Sequence, residues 1–196
     1  MSPAGALTRW TAFSEDWGEE VGCVAVETED GPVFIDPLSP PAGLGEPAHT
    51  LITVFFHARE ARGRVWAARA IARRLSNRGV EVTDPFEPGE PLPGGIGCFQ
   101  TARQGEVVYW LPEQRAVVVG DVLLGAGGKP RPTDEPLRLC PERWLGSRAT
   151  LADLRASLRP LLELPVEQVL VSHGAPVLSD GHVALAAVLS SASAAH

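Results

Sequence analysis

Three polar side chains of the sequence could together bind a metal ion, because each directly follows an apolar, strand-like run. His57 follows the run TLITVFF, Asp121 follows AVVVG, and His173 follows VEQVLVS. Ligand sites in proteins with sheets and helices collect at the carboxyl ends of strands. Imidazole and carboxylate groups are ligands for zinc and similar divalent ions. A metal site is therefore predicted, provided that the order of the strands brings the three residues together.

Each of these residues also has a purely structural interpretation. His57 could simply begin a helix. Asp121 follows a glycine and could form a turn or cap a helix. His173 precedes Gly174 and could be a hydrogen-bonded histidine of the core or of a loop. The three residues taken together favour a site more than any one of them does.

The elements that must position these residues are predicted from hydrophobic patterns and turn signals. Around a Glu-Asp-Gly turn, Val21–Val26 and Pro32–Ile35 form a hairpin, and a second hairpin pairs Val107–Leu111 with Ala116–Val119. The other predicted elements are strands at Thr50–Phe56, Val80–Thr83 and Val166–Val171, helices at Ala61–Arg78, Leu151–Leu164 and Val183–Leu189, and loops at Pro85–Gly97 and Leu124–Arg138. This order indicates an α+β fold with helices outside mixed sheets.

Composition limits the classes of function. The chain of 196 residues fits one domain, 1–196, with a frayed tail at 190–196. Its net charge of -7 disfavours nucleic-acid binding. Three cysteines without a C-x-x-C pair suggest a reducing cytoplasm, and the absence of a long apolar stretch argues against a membrane span. The expected partner is a small molecule, and neither its identity nor the oligomeric state follows from the sequence.

The order of the motifs resembles the metallo-β-lactamase superfamily between Gly22 and about Leu189. The matching segments are GCVAVETEDGPVFIDPL with Asp36, LITVFFHARE with His57, VVYWLPEQRAVVVGDVLLG with Asp121, and VEQVLVSHGAPV with His173. The resemblance implies a four-layer αβ/βα sandwich, in which two mixed sheets lie between outer helices. It also implies a metal site at one edge of the sandwich.

The metal motif of that family, His-x-His-x-Asp-His, is mostly lost here. With His57 as the second histidine, the first falls on Phe55, the aspartate on Arg59 and the last histidine on Glu60. We prefer this register because Glu60 can bind a metal. In the other register, with His57 first, the remaining positions fall on Arg59, Ala61 and Arg62. A further histidine of the family would lie within Thr101–Gln104, where Ala102 aligns best and no histidine is present.

The surviving ligands predict a hydrolase-like protein with at most one metal ion, most naturally zinc. His57, Asp121 and His173 would bind it, with Glu60 as a fourth ligand. Arg59 adds a repulsive charge, worth about 4 kcal/mol per unit-charge pair at 4 Å in an effective dielectric near 20. Asp121 and Arg59 are the candidate catalytic residues, and an ester or thioester is the candidate substrate.

Two alternatives use no metal. In the first, Arg59 pairs with Asp121 or Glu60, and the protein is a pseudo-enzyme that binds an anionic small molecule or a protein partner. In the second, Cys140 acts as a nucleophile with His173 as its base, which requires a depressed thiol pKa.

Overall fold

The computed structural model describes residues 5–190, which form two main β-sheets. The strands of the first sheet lie side by side in chain order: β1 (Leu7–Ser14), β2 (Glu19–Thr28), β3 (Gly31–Ile35), β4 (His49–Ile52), β5 (Arg64–Ala68) and β6 (Asp84–Phe86). The first three strands are antiparallel, and β3 to β6 are parallel. A short 3-10 helix, Phe55–His57, follows β4.

The second main sheet has four strands in the spatial order β12-β9-β8-β7. They are β7 (Gly97–Gln100), β8 (Val107–Leu111), β9 (Ala116–Val119) and β12 (Gln168–Val171), and β12 runs parallel to β9. A two-stranded sheet pairs β10 (Leu123–Gly125) with β11 (Leu137–Leu139). The α-helices are α1 (Arg69–Ser76), α2 (Leu151–Leu158) and α3 (Gly181–Ser190), and a 3-10 turn, Arg159–Glu163, extends α2.

Alternating side chains of the second sheet divide the interior into two hydrophobic cores. Tyr109 and Leu111 face the first sheet and pack with Ile35 and Leu51, which are fully buried. The neighbouring side chains of the same strands face the other way, toward α2 and α3. Each fully buried Leu or Ile contributes about 1.5–3 kcal/mol. The Tyr109 hydroxyl donates a hydrogen bond to the Ile52 carbonyl at 2.8 Å, and this bond links the second sheet to the first.

The two sheets are joined directly at the edge where β4, β9 and β12 end. Val21 of β2 forms a β-bridge with His173, and the Gly22 amide donates to the Ser172 carbonyl at 2.8 Å. A Cβ atom on Gly22 would lie 2.5 Å from the Val171 carbonyl oxygen, so only glycine allows this approach. The carboxyl ends of strands from both sheets therefore meet at one place.

The predicted fold class is confirmed: the chain is an α+β sandwich of two mixed sheets with helices around them. Both predicted hairpins form, and the second has the predicted bounds in β8 and β9. The strand predicted at Val166–Val171 and the closing helix are also present as β12 and α3.

The helix predicted over Ala61–Arg78 is wrong in its first half, where Arg64–Ala68 forms β5. The apolar positions in this segment fit both the helical period of about 3.6 residues and the strand period of two. The parallel pairing of β5 with β4, which sets Val65 opposite Thr50, selects the strand. Gly63 allows this pairing because it has a φ of 66° and approaches the Pro47 carbonyl too closely for any Cβ atom. The helix begins only at Arg69.

Other predicted bounds also shift. The strand predicted at Thr50–Phe56 ends at Ile52, because Thr53 turns to bond with Asp36 and a 3-10 helix follows. The strand predicted at Val80–Thr83 forms instead at Asp84–Phe86. The two predicted loops contain short strands. The helix predicted at Leu151–Leu164 ends at Leu158 and continues as a 3-10 turn. The first strand, β1, was not predicted.

The tail predicted at 190–196 lies outside the described residues except for Ser190, which ends α3. Among residues 5–190, no helix combines the length and the apolar character needed to cross a membrane.

Candidate functional site

His57, Asp121 and His173 meet at the edge where the two sheets join. One ligand atom from each of the three lies within 4.8 Å of the others. Asp121 Oδ1 is 3.0 Å from His57 Nε2 and 3.2 Å from His173 Nε2. At most 1% of any of the three side chains is exposed. The structure therefore brings together the three residues that the sequence singles out at strand ends.

Asp121 is positioned by the tight turn that follows the last residue of β9. The buried carboxylate of Glu106 accepts the backbone N–H groups of Asp121 at 2.6 Å and of Val122 at 2.9 Å through Oε1. A Cβ atom on Gly120 would lie 2.5 Å from Thr53 Oγ1, so this glycine lets β9 end against the loop after β4. That close approach places Asp121 beside His57.

His57 is held by a carboxylate on its other ring nitrogen. Nδ1 lies 2.9 Å from Asp36 Oδ2, and Asp36 in turn accepts the backbone N–H and the hydroxyl of Thr53. A carboxylate at Nδ1 favours the proton there in the neutral ring, which leaves the lone pair on Nε2. Burial alone would lower the pKa of His57, but the charges of Asp121 and Asp36 raise it to about 9.

His57 Nε2 is close to Asp121 without a well-formed hydrogen bond. It is buried and has no partner that satisfies hydrogen-bond geometry among residues 5–190, although Asp121 Oδ1 is only 3.0 Å away. An orphaned, buried ring nitrogen is uncommon, because it carries the full cost of desolvation. Nε2 therefore meets Asp121 as an ion pair and not through an aligned hydrogen bond.

His173 has the same arrangement as His57. Its Nδ1 lies 2.8 Å from Glu19 Oε1, so a second carboxylate orients the ring and directs Nε2 at Asp121. The Trp17 ring packs on the imidazole with centroids 4.8 Å apart, and Trp144 packs on Trp17 at 5.4 Å. These indole rings separate His173 from solvent.

The cluster contains a cation that the sequence did not reveal, Arg103. Its Nη1 donates to Asp121 Oδ2 at 2.5 Å and to Glu106 Oε2 at 2.8 Å, and its Nε donates to the Trp144 carbonyl at 3.0 Å. Burial alone would lower the pKa of Arg103, but the negative charges of Glu106 and Asp121 outweigh burial and raise that pKa above its ordinary value. Arg103 is therefore a permanent positive charge at the site.

The two carboxylates bonded to Arg103 are affected differently. Burial and the neighbouring Asp121 raise the pKa of Glu106 to about 7. Burial acts to raise the pKa of Asp121 too, but His57, His173 and Arg103 outweigh it and hold that pKa well below its usual range. Asp121 is consequently ionised at neutral pH.

These residues fit a single divalent ion. Two imidazoles and a carboxylate are a common donor set for zinc, and each imidazole is oriented through Nδ1 by a carboxylate, as is usual for metal-binding histidines. Because its pKa of about 9 keeps His57 protonated at neutral pH, an ion would have to displace the Nε2 proton to bind there. Ligand atoms about 2 Å from a tetrahedral zinc lie about 3.3 Å apart. The two separations from Asp121 Oδ1 to the imidazole Nε2 atoms, 3.0 and 3.2 Å, are close to that value, and all three ligand atoms lie within 4.8 Å of one another.

The structure places Glu60 and Arg59 outside the cluster. Glu60 Oε1 accepts the backbone N–H of Ser39 at 3.1 Å and faces a loop. The ion pair predicted between Arg59 and Asp121 or Glu60 is not formed, because Asp121 is paired with Arg103, and both terminal nitrogens of Arg59 are buried without a partner among the described residues. The chain turns after the 3-10 helix and carries Arg59 toward Cys23. Burial raises the pKa of the Cys23 thiol to about 12, and the charge of Arg59 offsets a small part of that rise.

This placement predicts that Glu60→Gln leaves metal binding unchanged. The substitution removes only an exposed contact to a loop amide, so we expect zinc affinity to stay within about twofold and the free energy of unfolding within about 0.5 kcal/mol. A chelator competition assay on the variant and the wild type measures the first quantity. A loss of affinity of tenfold or more would show that Glu60 reaches the metal.

Cys140 lies close to the cluster but is unsuited to be a nucleophile. It is 1% exposed and packs in the core beneath α3. Burial, with further contributions from Glu106 and Asp121, raises the pKa of the Cys140 thiol to about 12. The thiol therefore stays protonated at neutral pH, whereas a nucleophilic cysteine needs a depressed pKa.

Comparison with known proteins identifies the fold. The structure resembles that of a metallo-β-lactamase from Pontibacter korlensis with a TM-score of 0.63 at 15% identity, covering 98% of each chain. It also resembles the FIM-1 metallo-β-lactamase of Pseudomonas aeruginosa in its mono-zinc form, with a TM-score of 0.58 at 16% identity over 93% of this chain and 89% of that one. For a metallo-β-lactamase from Hirschia baltica, the TM-score is 0.60 at 12% identity, and the match covers 93% of this chain and 92% of that one. Neither a family model nor a curated protein sequence matches the chain.

Proposed function

Because the chain has the metallo-β-lactamase fold, we propose that it is a hydrolase-like protein with a site for one divalent metal ion, zinc in the first place. His57 Nε2, His173 Nε2 and Asp121 Oδ1 would hold the ion. The observation that carries the proposal is the convergence of one ligand atom from each of these three buried side chains within 4.8 Å.

The surrounding residues are suited to orient these ligands. Asp36 and Glu19 each engage Nδ1 of one imidazole, so both rings present Nε2 to the same point. Glu106 fixes the backbone of Asp121. Removing such an orienting carboxylate from a metal site typically costs 10- to 100-fold in affinity. The three ligands would thus be held close together before an ion binds.

Hydrolysis is the reaction class that this arrangement supports. A divalent ion with three protein ligands and an open position polarises a carbonyl oxygen and lowers the pKa of water. The chain itself would supply the ionised Asp121 as a ligand, and Trp17 and Trp144 would restrict access of water to His173. An ester or thioester is the substrate class that we propose to screen.

The proposal predicts about one equivalent of bound metal. The protein is to be purified without a histidine tag and analysed for elements before and after dialysis against zinc, manganese or iron. We expect one equivalent of zinc in the wild type and none in His57→Ala, because that change removes a direct ligand. In the wild type, removal of zinc by a chelator should lower the melting temperature, because bound zinc stabilises only the folded state.

His49→Ala is the matched control, since His49 is also buried but binds Trp66 and the Asp30 carbonyl far from the cluster. It should keep the full equivalent of zinc. If the wild type takes up no metal after loading, the proposed metal-dependent hydrolysis is wrong. The metal-free alternative gains no support from Arg59, which lacks the ion pair on which that alternative depended.

A further inference from the structure

We infer that Arg103 is a positioning residue whose fixed positive charge sets the metal affinity of this site. Its guanidinium balances the charge of Asp121 and Glu106, and so reduces the affinity of the cluster for a metal ion. The inference rests on the proposed function, since it concerns the same site.

The geometry of Arg103 is that of a fixed charge rather than a mobile side chain. Nη1 bonds to both carboxylates and Nε bonds to the Trp144 carbonyl, so the guanidinium is anchored at two nitrogens by three acceptors. Only 13% of the side chain is exposed. Arg103 also lies in a tight turn, in which Thr101 accepts its backbone N–H and Glu106 donates to its carbonyl.

The origin of Arg103 in the chain supports the same role. It belongs to Thr101–Gln104, the segment in which the family resemblance predicts a metal-binding histidine. Here that segment delivers a positive charge to Asp121 in place of a neutral ligand. Asp121 Oδ2 is consequently bonded to a guanidinium, and only Oδ1 faces His57 and His173.

The electrostatic consequence distinguishes this role from simple support. A fixed cation bonded to a metal ligand repels an incoming divalent ion, and the adjacent Glu106 attracts it. Neutralising Arg103 should therefore strengthen metal binding, whereas neutralising Glu106 should weaken it. If Arg103 only held Asp121 in place, both substitutions would weaken binding, because both would loosen the ligand.

The test measures the dissociation constant of zinc by competition with a chromogenic chelator for the wild type, Arg103→Gln, Arg103→Lys and Glu106→Gln. We expect zinc to bind at least about tenfold tighter to Arg103→Gln and at least about tenfold weaker to Glu106→Gln. Arg103→Lys keeps the charge and should stay within about threefold of the wild type. Circular dichroism and the melting temperature verify that each variant is folded.

The outcomes separate this inference from the proposed function. Weaker or unchanged zinc binding by folded Arg103→Gln, with one equivalent in the wild type, would overturn the role of Arg103 and leave the metal site intact. Zinc binding by Arg103→Gln alone would support the role of Arg103 while overturning the proposed function of the wild type. If neither protein binds zinc, both are overturned.

Discussion

Asp121→Asn is expected to abolish zinc binding and to destabilise the metal-free protein. Among residues 5–190, Asp121 is the one residue that pairs with His57, His173 and Arg103 together, and it is 1% exposed. Because loss of an orienting group already costs 10- to 100-fold, loss of this direct ligand should weaken zinc binding by at least about 100-fold. Breaking a buried ion pair by removing one partner typically costs 3–5 kcal/mol, and asparagine retains some hydrogen bonds, so we expect about 3 kcal/mol.

Zinc titration and urea unfolding of the metal-free protein measure the two effects separately. Glu46→Gln is the control, because Glu46 forms an exposed ion pair with Arg62 at 3.1 Å. Such surface pairs contribute about 0–1 kcal/mol, so this variant should resemble the wild type in both measurements. Retention of zinc affinity by Asp121→Asn would mean that the carboxylate is not a ligand.

Gly125→Ala is expected to destabilise the fold by about 3 kcal/mol and to weaken zinc binding as well. A Cβ atom at Gly125 would lie 1.9 Å from the Ala175 carbonyl oxygen. The Gly125 amide also donates to the His173 carbonyl at 2.8 Å. An added methyl group must therefore push the segment that carries His173 away from β10, and the imidazole moves with it.

Gly43→Ala tests whether the effect comes from crowding rather than from loss of a glycine. A Cβ atom on Gly43 would meet nothing within 4 Å, and its φ is not positive. We expect its urea midpoint to match that of the wild type. Equal stability of Gly125→Ala and the wild type would show that β10 and the His173 segment can separate at little cost.

The positions of His57, Asp121 and His173 could be predicted because a general rule governs them. Side chains at the carboxyl ends of strands converge wherever those strands share an edge. Each of the three follows a run of apolar, β-branched residues that is readable locally, and Gly120 marks the end of β9. The hairpins were equally predictable, since their turns are short and their pairing is local.

Arg103 and Glu19 could not be predicted, because their roles depend on distant parts of the chain. Glu19 reaches His173 only because the start of β2, in the first sheet, bridges to the segment that follows β12. Arg103 lies in a short polar turn with no periodicity, and arginine is not a metal ligand, so a search for ligands passes over it. The sequence held one partial indication of the position of Arg103. Glu106 lies three residues after it, a spacing that allows the ion pair seen in the structure.

The error over Ala61–Arg78 has a physical cause of a different kind. Val65, Ala68, Ile71 and Leu75 have helical spacing, but Val65 and Ala67 also alternate as a strand does. The sequence pattern therefore does not decide between a helix and a strand. The neighbouring strand β4 decides it, because its edge is available for parallel pairing. Tertiary pairing thus overrides local preference where the sequence is ambiguous.

The hydrogen bond between Glu19 and His173 joins residues 154 positions apart, and the bond between Asp36 and His57 joins residues only 21 apart. Closing the longer loop carries an entropic cost that must be met before the contact stabilises the chain. His57 can therefore be oriented early, as the first sheet forms, whereas His173 is oriented only when the last strand docks. A folding intermediate without β12 would hold two of the three ligands, His57 and Asp121, and metal capture should report on the final step of folding.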